Sequence, residues 1–119
     1  MNYEKLLEDI KKLSLASLRG IYHCNHLKGI TINLLIETLK KSTLGFNFLI
    51  NEKMDQSLIN RKPFYLLKID NKYEVFGIFD RGGKECVEEF MDIEQAIFDL
   101  LDRYLNELGY AAPDSKINS

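Results

Sequence analysis

Residues that could bind a metal ion cluster at one point in this sequence. His23, Cys24 and His26 lie within four positions, and on a helix the two histidines would share a face. Zinc takes three or four protein ligands, and the chain contains no further histidine to complete such a set. The second cysteine, Cys86, is distant in sequence, so only folding could bring it close. We therefore predict no metal site and no bound cofactor.

Residues that could support nucleophilic catalysis occur without a recognisable arrangement. Ser14, Ser17 and Ser42 lie in helical or capping contexts, and none belongs to the Gly-x-Ser-x-Gly turn of a hydrolase. Segment 80–84, Asp-Arg-Gly-Gly-Lys, lacks the spacing of a phosphate-binding loop and precedes a strand pattern where such a loop would open a helix. We interpret this segment as a hairpin turn. We predict that the protein is not an enzyme and has no catalytic residues.

The cysteines and the amino-terminal residues indicate a compartment. A single pair of distant cysteines is not a disulfide framework and favours reduced, partly buried thiols. Residues 1–13 carry charges every few positions and lack the apolar core of a signal peptide. No apolar run approaches the roughly 20 residues that cross a bilayer. We therefore predict a cytoplasmic protein with no membrane partner.

Charge is distributed unevenly along the 119 residues, whose formal net charge is −2. Residues 1–62 have ten lysines and arginines against six carboxylates, whereas residues 63–119 have six against twelve. The overall acidity argues against a general nucleic-acid binder, and we predict no direct contact with nucleic acid. Within residues 85–107, eight carboxylates are opposed by Arg103 alone. This distribution predicts an acidic surface that could steer a basic protein partner.

Hydrophobic periodicity predicts helices in the first part of the chain. Apolar residues at helical spacing indicate a helix over 3–18, with Gly20 as its stop, and a second helix capped by Thr31. After Gly45 the alternation changes to a period of two, which predicts a short strand over 46–50. The polar residues 51–62 predict an exposed loop.

The second part of the chain predicts a β-meander followed by a helix. Strands are expected over 64–69, 73–79 and 85–90, and in the first turn Asn71 can adopt positive φ. The second strand is apolar on both faces, which is typical of a central strand. Asp92 is expected to cap a helix that ends at Gly109, with a frayed tail over 110–119. We predict one α+β domain over 1–109, with amino-terminal helices, an antiparallel meander of three to four strands, and a carboxy-terminal amphipathic helix packed on the sheet.

Residues 64–108 contain the pattern Tyr73-Glu-Val-Phe, Phe79-Asp-Arg-Gly-Gly, Phe90, and Asp92-Ile-Glu-Gln-Ala-Ile with Leu100-Leu101. This pattern resembles the carboxy-terminal half of small immunity proteins from bacterial polymorphic-toxin and contact-dependent growth inhibition systems. Such families often carry tryptophan in the first strand of this pattern, where this chain has Tyr73. The resemblance implies a non-enzymatic cytoplasmic inhibitor of the toxin domain encoded beside it, commonly a nuclease. A basic nuclease would suit the acidic half of this chain.

The candidate interface residues are charges of the acidic segment and two aromatic side chains that could act as anchors. They are Asp80, Arg81, Glu85, Glu88, Glu89, Asp92, Glu94, Phe98, Asp99, Asp102 and Tyr110. Three alternatives remain open: a regulatory or adaptor module of a mobile element, a small ligand-binding domain or enzyme, and nucleic-acid binding. The last would use the basic residues Lys40, Lys41, Lys53, Arg61 and Lys62. Nothing in the sequence indicates an oligomeric state.

Overall fold

Helices occupy the amino-terminal half of the chain, and a three-stranded sheet followed by a long helix occupies the other half. The structure is a computed structural model and describes residues 1–53, 62–78 and 83–118. Its elements are α1 (Tyr3–Lys12), α2 (Leu15–Ile21), α3 (Cys24–Leu27), α4 (Ile32–Lys41), a 3-10 turn (Phe46–Leu49), β1 (Phe64–Ile69), β2 (Lys72–Ile78), β3 (Lys84–Phe90), α5 (Ile93–Glu107) and a second 3-10 turn (Lys116–Asn118). Among the described residues, no helix combines the length and the apolar composition that crossing a bilayer requires.

The three strands form an antiparallel sheet in the order β1-β2-β3, which confirms the predicted meander and the α+β class. β2 is central, as its two apolar faces predicted. Val75 lies in the main core with the helices, whereas Phe76 packs on the opposite face with Tyr65 and Leu67. β3 lies at an edge of the sheet, and most of its side chains are exposed.

In the described part of the sheet and its first hairpin, two non-glycine residues have positive φ, and neither is the predicted one. In the first hairpin Asp70 has φ 53°, whereas the sequence indicated Asn71. Asp is among the few residues that tolerate this region, because its short side chain bonds locally. In β3, Cys86 has φ 50° at a bulge where Val75 pairs with Glu88 and Gly77 pairs with Glu85. The extra residue bends the edge strand and limits edge-to-edge pairing with other chains.

Helix α5 joins the sheet to the amino-terminal helices. Asp92 caps it by accepting a hydrogen bond from the Gln95 backbone N–H (3.4 Å), and Gly109, at φ 82°, ends it as predicted. Its apolar stripe is buried against all three strands and α4. The stripe comprises Ala96, Ile97, Leu100, Leu101, Tyr104 and Leu105.

The predicted single helix over 3–18 is wrong, because the chain breaks at Ser14. Ser14 accepts a hydrogen bond from the Ser17 N–H (3.2 Å) and thereby starts α2, which places Gly20 within a helix and not after it. The break lets α2 return towards α1, where the Tyr22 hydroxyl donates to Asp9 (2.6 Å). A serine that caps its own downstream turn competes with helix continuation.

The predicted strand over 46–50 is also wrong, since Phe46–Leu49 forms a 3-10 turn. Gly45 precedes it at φ 80°, a conformation that lets the chain tighten so that both phenylalanines pack against the main core. Just after this turn, Asn51 forms an isolated bridge to β1. Its N–H donates to Leu66 O (2.9 Å). The expected exposed loop lies largely outside the described residues, but Lys62 at its end is buried.

Residues 110–117 pack against the domain, which corrects the expectation of a frayed tail. The Tyr110 hydroxyl donates to Ile30 O (2.7 Å), and Ala112 is fully buried. Asp114 accepts hydrogen bonds from the N–H groups of Ile32 and Asn33 at the start of α4 (both 2.9 Å). Polar residues in this segment satisfy helix ends and carboxylates of the domain, which a sequence pattern alone does not indicate.

Candidate functional site: a groove between α4, α5 and the sheet edge

A groove opens where the first turns of α5 meet the end of β3, helix α4 and the carboxy-terminal segment. It encloses about 390 Å³ and is lined by Asn33, Ile36, Phe90, Glu94, Gln95, Phe98 and Lys116. Its floor is apolar, because Ile36 is buried and both phenylalanines pack partly against the main core. Its rim is polar. An apolar depression with a few convergent polar groups is the usual form of a binding site.

The α4 side of the rim is an ion-pair cluster. Glu94 contacts Lys40 Nζ at 2.5 Å, and the same ammonium lies 3.5 Å from Glu37 and 5.6 Å from the centre of the Phe46 ring. The hydrogen bond that the Lys40 ammonium donates to Glu94 raises the pKa of Lys40 above its usual value. These side chains are substantially exposed, so water screens the pair and its contribution to stability is small.

The opposite side of the groove is built around Lys116. Its Nζ lies 2.8 Å from Asp99 Oδ1, 3.6 Å from Glu88 Oε2 and 5.0 Å from the centre of the Phe90 ring. Arg103 holds the other oxygen of Asp99 (3.1 Å) and donates to the backbone carbonyl of Cys86 (2.7 Å). The Asp99 carboxylate is therefore held between two cations, and its side chain is only 5% exposed.

Asp99 and Asp102 were expected on the interface, but both are buried. Asp102 accepts hydrogen bonds from Ser115 Oγ (2.6 Å), the Lys116 N–H (3.1 Å) and Asn106 Nδ2 (3.1 Å). These contacts fasten the carboxy-terminal segment to α5. A buried carboxylate persists only with such partners, and residues 110–117 supply them. Asp102 therefore anchors the fold, whereas the charge of Asp99 is matched within the chain by Lys116 and Arg103.

The predicted acidic surface is divided between the two faces of the sheet. Glu88 is opposite Val75 in the strand register and therefore faces α5, whereas Glu89 is opposite Glu74 and faces away. Each is paired with a lysine, Glu88 with Lys116 and Glu89 with Lys72 (2.8 Å). The expectation of a continuous, single-sign surface is therefore wrong. Lysines distant in sequence partly neutralise it.

The remaining predicted site residues fall into four groups. Glu94 and Phe98 line the groove, and Asp92 is exposed beside it as the cap of α5. Glu85 is half-buried, and its side chain packs over Gly77. A Cβ added at Gly77 would lie 3.0 Å from the Glu85 Cγ. Tyr110 does not line the groove, since its hydroxyl holds the backbone of Ile30. Asp80 and Arg81 lie outside the described residues.

Sequence reasoning missed the groove residues supplied by other elements. Phe90 was assigned only to a strand, Asn33 and Ile36 to a helix, and Lys116 to a frayed tail. An aromatic residue two positions before the cap Asp92 was an available signal, because Phe90 lies where strand and helix diverge. The convergence of α4 and the carboxy-terminal segment on that point depends on tertiary packing.

Comparisons of the chain with models of protein families, with curated proteins and with solved structures found no match. The groove and its surroundings are thus the observations that bear on function. Among the described residues, no three His, Cys, Asp or Glu side chains are grouped to hold a metal ion. His23 and His26 contact each other, with ring centres 5.3 Å apart, and both cysteines are exposed where partial burial was expected.

The basic residues of the nucleic-acid alternative do not form one free surface. Lys40 is paired with Glu94 at the groove, and Lys62 is buried beside Lys11. Arg61 lies outside the described residues. Cations that are already paired or buried contribute little to the release of counterions that drives binding to a phosphate backbone.

Proposed function

We propose that this protein is a cytoplasmic immunity protein that binds and neutralises a cognate toxin domain, and that the groove is its docking site. The proposal rests on one observation above all. An aromatic floor, formed by Phe90 and Phe98, is bordered by carboxylates whose lysine partners remain exposed. This is the arrangement of a protein-binding hot spot, in which a large apolar side chain is inserted and charges at the rim set its orientation.

The ion pairs at the rim leave the carboxylates available to a partner. Water screens exposed lysine–carboxylate pairs such as Lys40–Glu94, so the pair contributes little to stability and its replacement costs little. An arginine presents a planar fork that a carboxylate accepts through two hydrogen bonds, which a lysine cannot match. Arginines of a basic toxin domain, such as a nuclease, would therefore replace this chain's own lysines at the rim carboxylates. The charges would govern association rate and specificity, and the phenylalanines would supply most of the affinity.

The proposal is tested by expressing the chain together with the toxin domain encoded beside it. The wild-type protein should restore growth and co-purify with the toxin. Phe98→Ala should weaken binding by about tenfold or more, because truncation of a hot-spot aromatic costs about 2 kcal/mol or more and about 1.4 kcal/mol corresponds to a factor of ten. Leu34→Ala is the matched control, since Leu34 is an exposed apolar residue of α4 in a different depression, beside Tyr3.

A second variant separates loss of binding from loss of fold. Glu94→Arg reverses the charge of the rim without removing a core side chain, and it should also weaken capture of a basic toxin. Thermal unfolding of each variant verifies that it is folded. Wild-type affinity in both folded groove variants would contradict the groove as the docking site. Binding of the neighbouring polypeptide without growth protection would instead identify an adaptor or regulatory module.

A further inference from the structure

One side of the groove already holds a cation that belongs to the chain itself. The Lys116 ammonium is seated over the face of Phe90 and between the carboxylates of Asp99 and Glu88. An aromatic face with two carboxylates is a favourable environment for an organic cation, because the ring quadrupole and both negative charges attract it. The Lys116 side chain is 45% exposed, so its ammonium can move out of the site towards solvent.

We propose that the site formed by Phe90, Glu88 and Asp99 recognises an arginine side chain of the protein partner, and that Lys116 occupies this site in the free protein as an internal substitute. The inference deepens the proposed function and rests on it, since it names the group of the toxin that the groove receives. The carboxy-terminal segment thereby competes with the partner's arginine for the site formed by Phe90, Glu88 and Asp99.

The charges around the site explain why the cation must be replaced and not merely lost. Asp99 and Glu88 face Lys116 and Arg103, so the cluster is neutral when Lys116 is present. Departure of Lys116 leaves Glu88 unpaired and leaves the buried Asp99 with Arg103 alone. A buried carboxylate that loses a partner is costly, and an incoming cation restores the balance.

An arginine fits this site better than the resident lysine does. Its guanidinium is planar and can stack on the Phe90 ring while it donates to a carboxylate in the same plane. A lysine ammonium is a compact point charge, and here it lies 2.8 Å from Asp99 but 3.6 Å from Glu88. Of these two carboxylates, Lys116 lies close only to Asp99, whereas a guanidinium can donate to both.

The exchange requires only a side-chain movement. The backbone of the segment is held independently, by Asp102 at the Lys116 N–H and by Asp114 at the start of α4. The Lys116 side chain can therefore rotate out of the site while the segment stays in place. Side-chain rotation of this kind is fast on the timescale of protein association.

The test uses the free protein with acetyl-arginine amide as the probe, followed by NMR. Lys116→Met removes the ammonium from the site while keeping an unbranched side chain of similar length. It should bind the probe at least about fivefold more tightly than the wild type, and the probe should shift the resonances of the Phe90 ring. Acetyl-lysine amide should bind more weakly than the arginine probe. Lys72→Met is the matched control, because it frees Glu89 on the other face, and it should bind like the wild type.

Two further variants keep the result decisive. Lys116→Gln should reproduce the gain if removal of the charge, and not a new thioether contact, is responsible. Adding Glu88→Gln to Lys116→Met should abolish the gain. Equal affinity of the wild type and Lys116→Met for the probe, or shifts away from Phe90, would overturn the proposal. No toxin is present in this experiment, so its failure is distinct from a failure to protect cells against the toxin.

Discussion

Lys62 is a lysine that the fold has placed away from water and beside another cation. It is 9% exposed, and no carboxylate contributes to the shift of its pKa. It borders a small cavity with Lys11, Asn51 and Tyr104. Burial, reinforced by the charge of Lys11, lowers the pKa of Lys62 from 10.5 to about 8. The sequence placed this residue in an exposed loop, because a run of polar residues gives no sign of the packing that follows Pro63.

The lowered pKa predicts how stability depends on pH. The unfolded chain keeps the Lys62 proton up to about pH 10.4, whereas the folded chain releases it near pH 8, so stability rises with pH between these values. Lys62→Met removes the ammonium and retains an apolar side chain. We expect it to increase the free energy of unfolding at pH 7 by about 1–2 kcal/mol, a value that allows for partial screening by water. It should also reduce the increase of stability with pH. Denaturant unfolding between about pH 7 and pH 9.5 measures both effects.

Lys12→Met serves as the control for this substitution, because Lys12 is exposed on the same helix as Lys11. It should leave both the stability and its pH dependence unchanged. If Lys62→Met instead destabilised the protein at pH 7, the ammonium would have a stabilising partner, and burial would not be the cause of its pKa.

At the scale of elements, the carboxy-terminal segment completes the amino-terminal end of α4. Thr31 satisfies the N–H of Leu34 (3.1 Å), and Asp114 satisfies those of Ile32 and Asn33. The first turn of a helix leaves several N–H groups without partners, and a carboxylate there also interacts favourably with the helix dipole. A residue distant in sequence thus supplies a cap that local sequence reasoning could not assign.

We predict that Asp114→Ala lowers the free energy of unfolding by about 1–2 kcal/mol, which is the usual cost of losing a helix cap. It should also increase hydrogen exchange at the Ile32 and Asn33 amides and at residues 110–117. Asp114→Asn is the matched variant, since it keeps one acceptor oxygen and should lose about half as much. Unchanged exchange at the start of α4 in Asp114→Ala would mean that the segment does not cap this helix.

At the scale of the whole molecule, ion pairs between distant elements determine what charge the surface presents. Arg19 pairs with Glu107, Lys40 with Glu94, Lys72 with Glu89 and Lys116 with Glu88. The strongly acidic segment 85–107 is therefore a mixed surface when folded. Its remaining negative potential contributes to the rate of association more than to affinity.

The two glutamates of β3 provide a matched pair for testing electrostatic steering. They have nearly equal side-chain exposure, 55% for Glu88 and 54% for Glu89, and each is paired with one lysine, but they face opposite sides of the sheet. Glu88→Lys should slow association with a basic toxin about three- to tenfold at low salt, because it lies beside the groove. Glu89→Lys should have a much smaller effect. Stopped-flow association across salt concentrations measures both rates.

Salt provides the control for this comparison. The difference between the two variants should largely disappear above about 0.5 M salt, where charges are screened beyond a few ångströms. Equal slowing by both variants would indicate that the overall charge, and not the groove, attracts the partner. Unchanged rates for both at all salt concentrations would remove the electrostatic part of the proposal.

The sequence by itself determined the elements whose signals are local. The cap at Asp92, the apolar stripe of α5 and its end at Gly109 were all predictable, because helix capping and periodicity involve residues three or four positions apart. The two-faced apolar strand β2 likewise predicted its central place in the sheet. The break at Ser14 shows the limit of this reasoning, since capping and continuing a helix were both compatible with the same residues.

Tertiary structure alone decided which charges face solvent and where the groove lies. Asp99 and Asp102 are buried because residues 110–117 bring Ser115 and Lys116 to them, and Glu94 is neutralised because α4 brings Lys40. Electrostatic pairing and burial depend on distance through space, which packing sets without regard to separation along the chain. Local patterns therefore determined the secondary structure of α5 and the meander. Tertiary packing determined which charges are buried, which are paired and which are exposed.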